Sequence, residues 1–407
     1  MPIPDHALAA IVRLPVVALV LTLLACGGES PTAAVPVVPT TPGTTPTGGI
    51  VTALVITPTQ LPNYANPTLP AHYAGLIGSP TDNGRNAPIT DAGATLGRVL
   101  FYERQLSVNG TISCASCHAQ ASAFADEARF SAGFAGGVTT THSMRLANAR
   151  FYAPGSFFWD RRAPTLEAQT IEPIQHPVEM GFDAAHGGLA AAVARLQGLA
   201  YQRELFALAY GDSTVTADRM QSALAQYVRS ILSTSSRWDI GYAQVFNPGL
   251  PDRGVNTAIP TFTAQENRGR QLFFTPPPQG GAGCAACHVA PTFALAGNSL
   301  GNGLDAGETT VFKSPSLKSV GVPGRFMHDG RFSTLDQVVG HYNNGVQDGP
   351  ALDQRLRGPG GTPLRLNLNA GDRAALVAFL LTLTDTQLAA DARFSDPFRR
   401  GDVWRES

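Results

Sequence analysis

Cys114-Ala115-Ser116-Cys117-His118 and Cys284-Ala285-Ala286-Cys287-His288 are two copies of one pattern, Cys-x-x-Cys-His. Two thiols three positions apart reach the two vinyl groups of one porphyrin, and the adjacent histidine then falls beneath the iron. A zinc site built from the two cysteine pairs leaves the histidine after each pair unexplained, twice over. A thioredoxin-like redox pair needs a βαβ setting, which the flanking sequence lacks. The doubled motif therefore predicts two covalently bound c-type haems, with His118 and His288 as iron ligands.

An internal repeat carries the motifs. Leu96-Gly97-Arg98-Val99-Leu100-Phe101-Tyr102 precedes the first, and Arg268-Gly269-Arg270-Gln271-Leu272-Phe273-Phe274 precedes the second. A glycine followed by a Leu-Phe pair lets one helix cross another closely, so each copy predicts a cytochrome-c-like domain. Thr263 and Glu266 form a capping box for the second copy. Leu189, Val193 and Leu196 keep helical spacing, as do Met220, Leu224 and Ile231 behind Thr216. Leu376, Phe379, Leu380 and Leu383 follow Asn369, with Asp372 three residues on, as a closing helix. The expected fold is all-α: two cytochrome-c-like haem domains packed together, with little or no sheet. The first domain is expected over 87–246, a Pro/Gly-rich linker over 247–262, the second domain over 263–385 and a polar tail over 386–407.

Composition narrows the function classes. The 407 residues carry a formal net charge of −1, which gives no electrostatic case for a nucleic-acid partner. Of the 29 basic residues only Lys313 and Lys318 are lysines. Arginine suits haem propionates because its planar guanidinium pairs carboxylates bidentately, although genomic base composition accounts for most of the bias. Four of the five cysteines belong to the two motifs and the fifth is Cys26, so none is left for a structural disulfide.

The N-terminus predicts export, as covalent haem attachment to such motifs requires. Residues 1–25 read as a signal peptide whose apolar run, Leu14 to Leu24, is too short for a stable membrane span. Leu23-Leu24-Ala25-Cys26 resembles a lipobox, with Cys26 as the acylated residue, and Gly27 after it resembles outer-membrane sorting. The expected location is the periplasm, with the only membrane attachment a lipid anchor. Residues 26–49 are a Pro/Thr-rich tether unable to order themselves. Residues 50–86 are expected to wrap the first domain in extended form.

Between the motifs the chain resembles a family. Phe157-Phe158-Trp159-Asp160-Arg161-Arg162-Ala163 through Gln169, Pro173 and Pro177-Val178-Glu179-Met180-Gly181 resembles the bacterial di-haem cytochrome c peroxidases. That family includes the MauG-type tryptophan-modifying enzymes. Pro315-Ser316-Leu317, Met327-His328-Asp329-Gly330 and Leu335 to Gly345 extend the resemblance, which covers roughly residues 90–385.

Peroxide cleavage at iron needs a vacant coordination site, a group that moves a proton between the oxygens, and a donor that polarises the O–O bond. Glu179 can be the acid–base and Gln169 the neutral donor. Read as structure alone, Glu179 pairs with an arginine and Gln169 caps a turn. The resemblance implies the catalytic reading, adds Pro173 to the site, makes Trp159 an electron relay between haems, and places Arg162 among the haem-binding residues. Arg161 stands where the family usually has glycine.

Ser333-Thr334-Leu335-Asp336 reads as a capping box. Leu335, Val338, Val339 and Tyr342 then share one helical face that carries Tyr342 toward the core. The resemblance implies Tyr342 as the sixth ligand of the second iron, as in MauG-type members; a packed tyrosine is the plain alternative, and Met327 and His341 are the fallback ligands. Where activation-dependent members carry a displaceable histidine, this chain has Phe134 and glycines, which implies an open first haem. The family's calcium ligands are replaced by His142, Pro323 and Arg325, with Arg325 able to supply the positive charge.

The resemblance implies an enzyme that reduces hydrogen peroxide with electrons from a small periplasmic cytochrome or cupredoxin, and a homodimer as a candidate assembly. A MauG-like oxidase acting on a protein substrate and a non-enzymatic di-haem electron carrier are the competing readings. Cys26→Ala is expected to abolish acyl labelling and to move the protein from the membrane to the soluble fraction, which metabolic fatty-acid labelling and fractionation would check.

Overall fold

The computed structural model describes residues 48–152, 157–295, 297 and 299–399. The export signal, most of the tether and Cys26 lie outside these. Among the described residues there are eleven α-helices and no strand, only isolated bridges. The helices are α1 (Gly49–Ala53), α2 (Asp91–Tyr102), α3 (Cys114–Cys117), α4 (Leu166–Gln175), α5 (Gly188–Gly198) and α6 (Ala200–Tyr210). There follow α7 (Ala217–Ser230), α8 (Arg237–Val245), α9 (Ala264–Phe274), α10 (Leu335–Gly340) and α11 (Ala370–Thr382). No described helix is long and apolar enough to cross a membrane.

Local chemistry starts these helices where the sequence predicts. The Thr90 side chain accepts from Gly93 N at the head of α2, and Thr216 does the same for Arg219 N in α7. Thr263 and Glu266 close a reciprocal box on α9, and Asn369 caps α11 through Asp372 N. At α10 the box is shifted by one residue: Thr334 is the cap and Gln337 closes it, in place of Ser333 and Asp336. A glutamine reaches back to the cap amides as well as an acid does, so this frame competes with the expected one.

The repeat is built as two helix crossings. A Cβ on Gly97 of α2 would stand 1.9 Å from the Ala223 carbonyl oxygen of α7, and one on Gly269 of α9 would stand 1.8 Å from that of Ala375 in α11. Hydrogen in place of a methyl group is what allows backbone to touch backbone. Aromatic pairs flank each crossing, Phe101 with Tyr227 at 5.2 Å and Phe273 with Phe379 at 5.1 Å between ring centres.

Two apolar cores result, and their membership differs from the expected domain bounds. The first contains α2, α7 and the residues around the first motif; the second contains α9, α11 and also α8. Trp238 and Tyr242 of α8, expected in the first domain, stack at 4.5 Å inside the second. Ile259 and Phe262 of the expected linker are buried there too. The apolar face of α8 outweighs chain proximity in choosing its partner. The N-terminal wrap covers both cores: Ile50, Leu54 and Tyr64 pack on the first, whereas the His72 ring meets Trp238 and Tyr242 of the second.

The expected polar tail also returns to the first core. Leu388, Phe394 and Phe398 are buried in it, Tyr102 Oη donates to Phe394 O at 2.7 Å, and Arg98 Nε donates to Ser395 O at 2.7 Å. The wide spacing of these apolar residues hides them from any periodic reading.

A buried polar cluster joins the pieces. Asp239 accepts from the buried Lys318 ammonium, from Ser236 Oγ at 2.6 Å and from Tyr73 Oη at 3.0 Å. Burial works to raise this carboxyl, but Lys318 and the hydrogen bonds from His72 and Ser236 outweigh it and hold it at about 2. Gly269→Ala is expected to destabilise the protein by about 1–3 kcal/mol through overpacking at the crossing, measurable as a lowered urea midpoint with an unchanged slope.

Candidate functional site

Each haem motif is a single tight turn. The first is α3, opened by Ser113, whose amide donates to Ser116 Oγ at 3.0 Å. The second is a 3₁₀ turn over Cys284–Ala286. All four cysteines are half-buried. His118 Nδ1 lies 3.0 Å from Phe124 O, and His288 Nδ1 lies 3.1 Å from Pro315 O and 3.2 Å from Phe293 O. A carbonyl only accepts, so Nδ1 carries the proton and Nε2 keeps its lone pair for iron. Burial lowers both imidazoles, His288 to about 4, which keeps them neutral as ligands must be.

His288, Cys284 and Cys287 open into a cavity of about 690 Å³. Its walls include Phe273, Leu335, Val339 and Leu376, with Arg145, Lys313, Arg325 and Arg355 among its charged residues. An apolar slot with two thiols, one imidazole and several cations fits a covalently bound haem with its two propionates.

Tyr342 reaches this cavity as the helical spacing predicts: Leu335, Val338, Val339 and Tyr342 all line it. The helix α10 loosens into a π-turn over His341–Gly345, a distortion common where a side chain is re-aimed at a site. Burial pushes the Tyr342 phenol up to about 12, with the Asn302 side chain pulling the other way. His341 is directed elsewhere: its Nε2 lies 3.1 Å from Asn302 O. Met327 lines the cavity from a backbone with φ 71°, and the His328 ring stacks on Phe312 at 3.7 Å.

Trp159 lies in the wall between the motifs. Its indole lines the second cavity, Nε1 donates to His142 O at 2.7 Å, and its carbonyl accepts from Lys313 N at 2.8 Å. His142 N in turn donates to His328 O at 2.8 Å, and the His142 ring is close enough to His118 to act on its charge. The wall thus runs from the first motif through His142 and Trp159 to the second cavity. Arg161 keeps the turn that a glycine would favour: it adopts φ 64°, and Nη1 donates to Ser299 O of the other domain at 2.8 Å.

A polar group surrounds Glu179. Gln169, Glu172 and Pro173 of α4 fall at i, i+3 and i+4 and share a face. Pro173 has no N–H, so the Gln169 carbonyl is left without its helical partner. Burial raises the Glu179 carboxyl, His176 and Arg162 lower it, and Glu172 raises it. Glu179 also acts electrostatically on Cys114 and Cys117, which places it by the first motif. Arg162, expected at a haem, instead donates to Glu172 at 3.0 Å and Asp160 at 2.9 Å, with its guanidinium 3.5 Å above the Phe158 ring. Phe134 N donates to Glu179 O at 3.0 Å.

His142, Pro323 and Arg325 stand at the positions of the family's calcium site, where the sequence leaves calcium possible but doubtful. His142 offers an imidazole, Arg325 faces the second cavity, and Arg145 donates to Val322 O at 2.7 Å and Ser122 O at 2.9 Å. Among the described residues no acidic, histidine or cysteine group clusters as a metal site.

Sequence reading missed several neighbours of these sites. His176 Nδ1 is 3.7 Å from Glu179 Oε1 and accepts the Glu179 amide at 3.3 Å. Lys313 lies over the Tyr152 ring at 3.7 Å. Being one of two lysines in an arginine-rich chain was the only sequence signal for Lys313. Asn302 and Arg145 carried none.

The family model described as di-haem cytochrome c peroxidase matches residues 91–244. The chain is 30% identical over 314 residues to the methylamine utilization protein MauG of Methylorubrum extorquens, covering 73% of this chain and 79% of that one. It is 28% identical over 324 residues to the cytochrome c551 peroxidase of Nitrosomonas europaea, covering 72% and 80%. Among solved structures, a MauG-like protein associated with microbial copper homeostasis superposes with a TM-score of 0.63 at 30% identity, over 77% of this chain and 95% of that one. The diheme peroxidase BthA from Burkholderia thailandensis shares the fold, with a TM-score of 0.57 at 22% identity over 77% and 92%. With two haem-attachment motifs on two helix crossings and these relatives, the chain belongs to the bacterial di-haem cytochrome c peroxidase and MauG family, an oxidoreductase family whose two haems are of c type.

Proposed function

We propose that this protein reduces hydrogen peroxide at the His118 haem with electrons stored and delivered by the His288 haem. The observation that carries the reading is Glu179, a partly buried carboxyl beside the first motif with a raised pKa. Bound haem supplies an iron that accepts peroxide and exchanges single electrons. The chain does the rest. Glu179 takes a proton from the peroxide oxygen nearer the iron and returns it to the departing one, and Gln169 donates a hydrogen bond to the same group. Trp159, tied to both domains, lies on the electron path. The balance is one peroxide, two electrons and two protons giving two waters. The electrons come one at a time from a reduced small periplasmic cytochrome or cupredoxin. A chain anchored through Cys26 at the periplasmic face of the outer membrane would meet both reactants.

A second reading rests on a separate observation. Tyr342 lines the second cavity, and an anionic oxygen ligand lowers the potential of an iron and favours its higher oxidation states. That suits a MauG-like oxidase that draws electrons from a protein substrate at a distance.

Glu179→Gln is expected to lower kcat for peroxide by about 10²-fold or more while leaving both haem spectra unchanged. Because burial raises the Glu179 pKa, wild-type turnover should fall on the acid side at a pH above the ordinary carboxylate range, and that limb should vanish in the variant. Unchanged turnover would overturn the assignment. Tyr342→Phe should alter the spectrum of the second haem alone. If that variant gains turnover with reduced cytochrome c as donor, the peroxidase reading is the weaker of the two for the native protein.

A further inference from the structure

The cavity that holds His288 is lined by Tyr342 and Met327, with His142, His328 and Met144 as further groups able to ligate iron, and by one amide, Asn302. Asn302 Nδ2 donates to Met327 Sδ at 3.3 Å. Tyr342 shares the wall of the same cavity. Asn302 Oδ1 is buried and has no hydrogen-bond partner among the described residues.

The loop that carries the amide is held on three sides. Asn302 O faces His341 Nε2 at 3.1 Å, one residue from Tyr342. Gly301 N donates to Ala351 O at 2.6 Å, and Gly303 O accepts from Gln347 N at 2.8 Å. His341 is therefore a tie between the π-turn and this loop, and the Asn302 amide is pre-set against Met327 in the cavity that Tyr342 also lines. The Met327 loop is pinned as well, since Phe326 N donates to Phe332 O at 2.9 Å.

We propose that Asn302 is a positioning residue that decides which side chain ligates the second iron: its N–H restrains the Met327 sulfur and leaves the Tyr342 oxygen as axial donor. This rests on the reading of Tyr342 as that ligand. A thioether is a soft donor that suits reduced iron and raises its potential, whereas a phenolate oxygen suits ferric iron and lowers it. Without a restraint, a flexible methionine in the same cavity would compete, most strongly on reduction. An N–H to sulfur bond is weak, but here it acts on a sulfur whose backbone is already fixed. The consequence is an oxygen-ligated, low-potential second haem that keeps its ligand through the redox cycle.

The test uses the holoprotein with both haems attached and reads electron paramagnetic resonance, near-infrared absorption and the midpoint potential of the second haem. Asn302→Ala is expected to introduce the sulfur-to-iron charge-transfer band of a methionine-ligated ferric haem and to shift that potential upward. Asn302→Asp, which keeps the shape but loses the N–H, should do the same even if the alanine variant loads haem poorly. Asn302→Ala with Met327→Leu should restore the wild-type signature, and first-haem signals should not move in any variant. If both Asn302 variants keep the wild-type second-haem spectrum and potential while Tyr342→Phe changes them, the selector role is overturned and the tyrosine ligand stands. If Tyr342→Phe itself changes nothing, the ligand reading falls and the proposal falls with it.

Discussion

The contact on which each haem domain depends is a helix crossing at backbone distance. Gly97 against Ala223 and Gly269 against Ala375 leave no room for a methyl group. At that separation the helix before each motif is held against the helix that closes the domain, which sets where its chain emerges. The motif turn follows, and the carbonyls of Phe124 and Phe293 are then in place to orient the two proximal imidazoles. Moving one helix outward by the width of a methyl group would disturb the aromatic pairs beside the crossing. Close-packed interiors do not absorb such a shift.

The second core is closed by groups that a surface would not carry. Lys318 and Asp239 are both buried and paired, which ties α8 to the rest of that core, and Tyr73 of the wrap donates to the same carboxylate. Removing one member of such a pair leaves a charge without compensation, which costs far more than the pair contributes. The place of α8 is therefore specific in register. Between the domains stands Trp159, whose ring nitrogen bonds one domain while its carbonyl bonds the other. The relay role proposed for Trp159 would need a fixed separation, and hydrogen bonds at both ends of the residue provide it.

The surroundings of the two motifs differ in kind. Near the first, Glu179, His176, Glu172 and Arg162 form a polar group with a raised carboxyl among them, suited to moving protons. Around the second, the cavity walls are largely apolar and the phenol of Tyr342 is pushed up by burial, suited to holding an electron away from water. The function proposed above would thus have its two tasks separated by environment, with the same haem-binding turn used twice.

Local chemistry alone determined the haem-attachment residues, the helix caps at Thr216, Thr263 and Asn369, the glycine crossings and the inward face ending in Tyr342. Each of these is a short-range rule: a spacing, a period or a cap that acts over a single turn of chain. Only the tertiary structure decided that α8 joins the second core and that Leu388, Phe394 and Phe398 return to the first. It also decided that Arg162 is taken up by Asp160 and Glu172, and that Asn302 donates to the Met327 sulfur. Those outcomes depend on which buried surface a segment finds across hundreds of residues. That competition is settled by packing and by the cost of burying unpaired polar groups, neither of which is written in local sequence.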